Sequence, residues 1–196
     1  MEKHFLSNII KKAQSKEIFS KKDIIQIINS CTGSGKSTFM MDNVVSIASE
    51  NWELFTKEEW NNKRILIMAN RSALVSKTRD DLKDSLKEIP FESYTEKYFH
   101  HKHFDIYSYQ AVTKLIAENP HFLKQYSVVI CDEIHFLTSD SSFNFGTNLM
   151  LKSLIEHSKD GNTVIFFSAT DIEVRLVLSK MSHDFFDDKP LYEEVL

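Results

Sequence analysis

The sequence predicts an α/β fold: a mostly parallel central sheet with helices on both faces. Three observations carry that prediction. Four short apolar runs, rich in β-branched and aromatic residues, recur along the chain. Helical patterns lie between them. A glycine-bearing turn, "SCTGSGKS" at Ser30–Ser37, separates the first run from a helical segment. Strands buried on both faces read as continuous apolar runs, and strands alternating with helices close into a doubly wound sheet with right-handed crossovers.

Taken in chain order, Glu2–Lys16 reads as a helix packing beside the sheet. The strands are Asp23–Ile28, Arg64–Ala69, Ser127–Cys131 and Thr163–Ser168, with Phe104–Tyr109 a fifth. A helix is expected from about Lys36 to Ser49. The polar, aromatic-bearing Asn51–Lys63 reads as a helix or an ordered loop. Ser72–Ile89 places Leu74, Val75, Leu82, Leu86 and Ile89 near one helical face. Thr147–Ser158 and Asp171–Met181 also read as helices, and the acidic tail from Ser182 is expected only to close the domain.

The composition fits one soluble domain over residues 1–196. Apolar residues make up 42% and charged residues 27% of the 196, and four glycines with three prolines leave no room for long linkers. A net charge of −4 gives no global attraction to nucleic acid, although a local basic cleft would suffice for binding. The two cysteines, Cys31 and Cys131, lie in or beside apolar runs far apart in sequence, which points to reduced thiols and a cytoplasmic setting rather than a disulfide framework. No run approaches a membrane span, so no membrane partner is expected.

The turn is a phosphate cradle in outline. A strand, a turn holding Gly33 and Gly35, and a helix follow one another as a P-loop requires. Backbone N–H groups of Thr32, Gly33, Ser34, Gly35 and the helix start through Thr38 would face phosphate oxygens, helped by the helix dipole. Lys36 would reach the β- and γ-phosphates, and the Ser37 hydroxyl would ligate Mg²⁺. Ser30 replaces the usual first glycine.

Downstream, "SVVICDEIHFL" at Ser127–Leu137 ends an apolar strand in two carboxylates. Ligands sit at the carboxyl ends of strands in open parallel sheets. Asp132 would then complete the Mg²⁺ shell, and Glu133 would polarise an attacking water. A helix N-cap would also explain an acidic pair at this point, but the upstream cradle favours the catalytic reading.

Asp132-Glu133-Ile134-His135 is a DExH sequence, and Ser168-Ala169-Thr170 follows 36 residues after Asp132. With Thr32–Ser37, these motifs resemble the first RecA-like domain of superfamily 2 helicases of the DEAD/DEAH type. The resemblance spans about Ile28 to Thr170. It implies ATP with Mg²⁺, DNA or RNA as partner, and a second RecA-like domain across the nucleotide. It also implies that His135, Ser168 and Thr170 couple nucleotide state to strand grip. Met68–Lys77 resembles the family's motif Ia, making Arg71, Ser72 and Lys77 candidates for strand phosphates; Ile106–Leu115 resembles the next such motif, adding Tyr109 and Gln110. Helicases of this kind often read adenine through a glutamine upstream of the P-loop; of the two here, Gln26 lies inside the expected strand and Gln14 lacks the flanking pattern, so neither is assigned that role.

Two other features are read as structural. His100, His101 and His103 in "FHHKHF" read as an exposed loop, since metal ligands usually converge from several elements and no cysteine is near. Ser139–Gly146 reads as a turn or as a loop over the bound strand.

Only 26 residues follow Thr170, too few for a second RecA-like domain. The expectation is therefore the first half of a longer helicase, with weak ATP binding and little turnover alone. Other readings are the motor of a restriction-type enzyme, a P-loop kinase and a nucleotide-gated binding module. A kinase would need neither the DExH sequence nor Ser-Ala-Thr.

Overall fold

The computed structural model describes residues 10, 12–29, 33–48, 64–69, 80, 93–94, 98–100, 103–135, 145–170, 172–187 and 189–195. Helix α1 (Lys12–Ser20) leads into β1 (Ile25–Asn29), and α2 (Lys36–Ala48) follows the glycine turn. Next come β2 (Ile65–Ala69), β3 (Ser93–Tyr94), β4 (Tyr98–His100) and β5 (Phe104–Ser108). Helix α3 (Tyr109–Glu118) and a short 3₁₀ turn (Phe122–Gln125) precede β6 (Val128–Cys131). The chain ends with α4 (Phe145–Lys159), β7 (Thr163–Ser168), α5 (Ile172–Phe185) and β8 (Tyr192–Glu194).

Among the described residues the strands lie in the order β3-β4-β5-β2-β6-β7-β1-β8. Six of them, β5 to β8 across the sheet, pair in parallel; β3 and β4 extend it antiparallel. This is the doubly wound α/β architecture that the alternating runs predict. The apolar runs are continuous because both faces are covered. Ile28, Ile65, Ile67, Ile106, Ile130 and Phe167 pack with Ile18 and Phe19 of α1 and Phe39, Met40 and Val44 of α2. Alternate residues, including Ile27, Leu66, Met68, Val129 and Phe166, face α3, α4 and α5 on the other side.

Several elements depart from the sequence reading. Tyr109 begins α3 instead of ending β5, because Ser108 takes an extended conformation and its hydroxyl accepts from the Ala111 N–H, capping the helix. Tyr98–His100 is a strand paired with β5, so the histidine segment is not simply a loop. The tail does more than close the domain: Tyr192–Glu194 pairs in parallel with β1. A three-residue edge strand with two glutamates carries no periodic apolar signal, which is why its sequence does not announce it. Helices α4 and α5 each run beyond the residues expected for them. The expectations for Asn51–Lys63 and, apart from Asp80, Ser72–Ile89 lie outside the described residues.

A polar lock holds the end of the sheet opposite the strand tips. Arg64, just before β2, makes two 2.8 Å bonds to the Asp105 carboxylate, and the Tyr126 hydroxyl, before β6, donates to it at 2.6 Å. Asp105 is 2% exposed and Arg64 32%, so the carboxylate is desolvated while its partner keeps some water. Breaking a buried ion pair from one side costs about 3–5 kcal/mol, and partial exposure puts this pair near the lower end. Asp105→Asn is therefore expected to lose about 3 kcal/mol in urea unfolding with nucleotide affinity unchanged. An unaltered urea midpoint would contradict that role.

Candidate nucleotide site

The parallel register brings three chemically distinct strand tips together. Strand β7 lies between β1 and β6, with Asn29 opposite Ser168 and Cys131 opposite Phe166. The glycine turn, the Ser-Ala-Thr segment and the acidic pair thus open side by side at the carboxyl edge. That edge is where a parallel sheet places ligands.

The turn after β1 depends on backbone geometry. Gly33 and Gly35 have φ of +80° and +85°, the left-handed region that glycine enters without penalty. A Cβ on Gly33 would meet nothing within 4 Å, so the angle, not space, calls for glycine there. Helix α2 starts at Lys36, and the Phe39 N–H closes its first bond to the Gly35 carbonyl at 2.8 Å. The earlier N–H groups of such a helix have no intrahelical acceptor and present positive potential to an anion. Ser34 and Gly35 are half-buried, Lys36 is buried and Thr38 is exposed. Thr32 and the Ser37 side chain lie outside the described residues.

The acidic pair faces this turn. Asp132 is 6% exposed. Burial, then the neighbouring Glu133 carboxylate, push its carboxyl up to about 6, while the Lys36 ammonium and the Glu133 backbone N–H pull it down. The influence of Lys36 on Asp132 joins residues far apart in sequence. Glu133 has φ of +53°, an uncommon conformation for a side-chain-bearing residue and one that clusters at functional sites. Its Oε2 lies 3.2 Å from His135 Nδ1, an ion pair whenever the imidazole carries its second proton. The contact is misaligned for hydrogen bonding, and Glu133 Oε2 has no hydrogen-bond donor among the described residues.

Three bonds fix the backbone of this tip. The Asp132 N–H donates to the Met68 carbonyl at 2.9 Å, and the Ile134 N–H to the Phe167 carbonyl at 3.1 Å. The Tyr109 hydroxyl donates to the Asp132 carbonyl at 2.9 Å. Beside it, the Ser168 hydroxyl donates to the Thr170 carbonyl at 2.6 Å and accepts from the Thr170 N–H at 3.1 Å. Ser168 is fully buried and Thr170 exposed.

The structure therefore brings together Gly33, Gly35, Lys36, Asp132, Glu133, His135, Ser168 and Thr170. Arg71, Ser72 and Lys77 lie outside the described residues. Gln110 is exposed at the start of α3. Tyr109 departs from the expected strand contact: it is 3% exposed and its hydroxyl is used internally. Gln26 is likewise engaged, its Nε2 donating to the Ile18 carbonyl at 2.7 Å, which ties α1 to β1 rather than facing a base. Sequence reading missed the Tyr109 bond because its partner is a main-chain oxygen 23 residues away. The one signal in the sequence is an aromatic residue with a polar tip directly after an apolar run and a serine able to cap a helix.

A family model described as type III restriction enzyme, res subunit, matches residues 1–173. Among solved structures, the chain is similar to a hypothetical ATP-dependent RNA helicase from Sulfolobus tokodaii, at 16% identity and a TM-score of 0.54. The match covers 94% of this chain and 52% of that one, so the chain spans about half the helicase's length. At that identity the likeness shows the fold, a RecA-like α/β domain. No curated protein matches.

The raised Asp132 value has a stability consequence. A carboxylate whose folded value exceeds its unfolded one stabilises the fold most at low pH and loses that contribution as pH rises, here from the ordinary aspartate range to about 6. At roughly 1.4 kcal/mol per pH unit, the charged form costs about 2–3 kcal/mol at neutral pH. His157, lowered to about 4 by burial, acts oppositely: its contribution fades as pH falls from the ordinary histidine range towards 4. The difference between two variants isolates Asp132. Without Mg²⁺, Asp132→Asn is expected to be about 2–3 kcal/mol more stable than wild type at pH 7.5, with the gap closing near pH 4. A constant difference across that range would refute the assignment.

Proposed function

The chain belongs to the family of type III restriction enzyme res subunits, and from that membership we propose that it is the ATP-binding motor domain of a nucleic-acid-dependent ATPase that couples hydrolysis to strand translocation or unwinding. The carrying observation is that Lys36, at the start of the helix after β1, lies near enough to act on the buried Asp132 carboxylate at the tip of β6, with β7 between the two strands. A cradle for polyphosphate and a carboxylate suited to a dication meet there.

The residues fit Mg²⁺. A carboxyl pushed up by burial and a neighbouring negative charge is relieved by a cation, and Glu133 Oε2 has an open acceptor position. Asp132 and, by its motif position, Ser37 would hold the ion. When bound, Mg²⁺ neutralises phosphate charge and favours in-line displacement. Lys36 and the N–H groups of the turn and of the start of α2 orient the phosphates of ATP. Glu133, two residues past the end of β6, is suited to orient and deprotonate a water. His135 Nδ1 stands 3.2 Å from Glu133 Oε2 and would pair with it when the imidazole is protonated. The Ile134–Phe167 bond carries displacements of this tip to Ser168 and Thr170.

DNA or RNA is the proposed partner. Gln110, exposed at the edge next to the site, is one contact, joined on motif grounds by Arg71, Ser72 and Lys77. A second RecA-like domain would supply the opposite wall of the ATP site and an arginine for transition-state charge, an effect worth roughly 10³–10⁵ in rate. Alone, the chain is expected to bind Mg–ATP weakly and to hydrolyse it slowly. The family match favours one more specific setting, the motor of a restriction-type enzyme. Among the described residues, no helix is long and apolar enough to cross a membrane.

Lys36→Ala is expected to abolish Mg–ATP binding in calorimetry while far-UV circular dichroism stays unchanged. Unchanged nucleotide affinity would remove the phosphate-site assignment. Strand-stimulated turnover by the 196-residue chain at rates typical of complete motors would overturn the need for a second wall.

A further inference from the structure

The turn holding Asp132 and Glu133 is anchored from three directions, and each anchor adjoins a segment with a proposed strand or coupling role. The Met68 carbonyl belongs to β2, which leads towards Arg71–Lys77. The Phe167 carbonyl belongs to β7, which leads to Ser168–Thr170. Both are main-chain bonds that many sequences could form. The third anchor is a side chain: the Tyr109 hydroxyl, bonded to the Asp132 carbonyl at 2.9 Å.

Tyr109 is held firmly on both sides of its bond. It is the first residue of α3 and adjoins Gln110, which is exposed on the same helical turn. That turn is stiff: Ser108 caps it, and Thr113 Oγ1 donates to the Tyr109 carbonyl at 2.9 Å. Val112 and Ile116 seat the helix in the core. The phenol is buried, so the bond does not exchange freely with water. The peptide it holds connects Asp132 to Glu133, whose φ of +53° persists only under surrounding constraint. A small shift at the start of α3 therefore changes how that constraint is applied to both carboxylates.

We propose that Tyr109 is a positioning residue that couples strand binding at the start of α3 to the geometry of Asp132 and Glu133. The proposal rests on the nucleic-acid-dependent reading above and adds the route by which the strand is sensed. Tyr109 touches neither phosphate nor strand; it acts through the Asp132 peptide.

The test is a coupling measurement on this chain. The dissociation constant of a fluorescent ATP analogue with Mg²⁺ is measured with and without saturating single-stranded DNA or RNA. The ratio is the coupling factor, which lies between roughly 5- and 150-fold in typical coupled systems. Tyr109→Phe removes only the hydroxyl and is expected to bring the factor to within about twofold of one, while each ligand still binds alone. Tyr126→Phe is the matched control, deleting a buried tyrosine bond at the other end of the sheet; it is expected to lower the melting temperature and leave the factor unchanged. A wild-type factor in Tyr109→Phe would overturn the proposal. So would equal loss of coupling in Tyr126→Phe, which would mark a general structural effect. If wild type binds strand without coupling, the proposal fails and the motor reading stands. If wild type binds nucleotide but neither DNA nor RNA, the motor reading fails and the proposal with it.

Discussion

A carboxylate kept out of water at the end of a buried strand is the constraint on which the site depends. Asp132 is 6% exposed, next to a second carboxylate, and partly offset by Lys36. Burying a charge in that way is unfavourable unless something pairs with it. The sheet tolerates it because the rest of the tip is overdetermined, with β2, β7 and α3 each bonding the backbone of Asp132 or Ile134. Stability is thus held elsewhere, in the two apolar layers and in the Arg64–Asp105–Tyr126 lock. One end of the sheet is held by an ion pair, and the other carries a buried carboxylate beside a second one.

Topology turns that local strain into a site. With β7 between β1 and β6, the strand leading to Ser-Ala-Thr lies between those leading to the acidic tip and to the glycine turn. Ile134 bonds the Phe167 carbonyl directly, and Ser168 closes a tight local turn with Thr170. Under the proposed reading, coupling between ligand and partner would have a short physical path through these hydrogen bonds and packed strands. It needs no large rearrangement within this domain.

Much of this was legible in the sequence. The glycine turn and the acidic pair are visible in residue type and spacing: the left-handed positions call for Gly33 and Gly35, and Asp132–Glu133 follow an apolar strand downstream of that turn. The alternating apolar runs were enough for the five central strands and the two helical layers. What stayed hidden depends on contacts between distant segments. The side chain of Gln26 inside a strand is explained only by the Ile18 carbonyl it meets. Tyr109 resembled a strand-facing residue until its burial and its bond to Asp132 were visible. Strand β8 adds to the sheet through pairing with β1 rather than through any apolar pattern of its own.

Under the proposed function, Asp132 is a strained carboxylate that Mg–nucleotide would relieve. Titration calorimetry in buffers of different ionisation enthalpy reads the proton balance of that binding directly. Around pH 6 a large fraction of Asp132 carries a proton in the empty site, so binding of Mg-saturated nucleotide should release protons. The release should vanish near pH 8 and be absent in Asp132→Asn at both pH values. Tight binding at pH 6 with no proton release, or with the same release in Asp132→Asn, would contradict the assignment of this carboxylate to the nucleotide site.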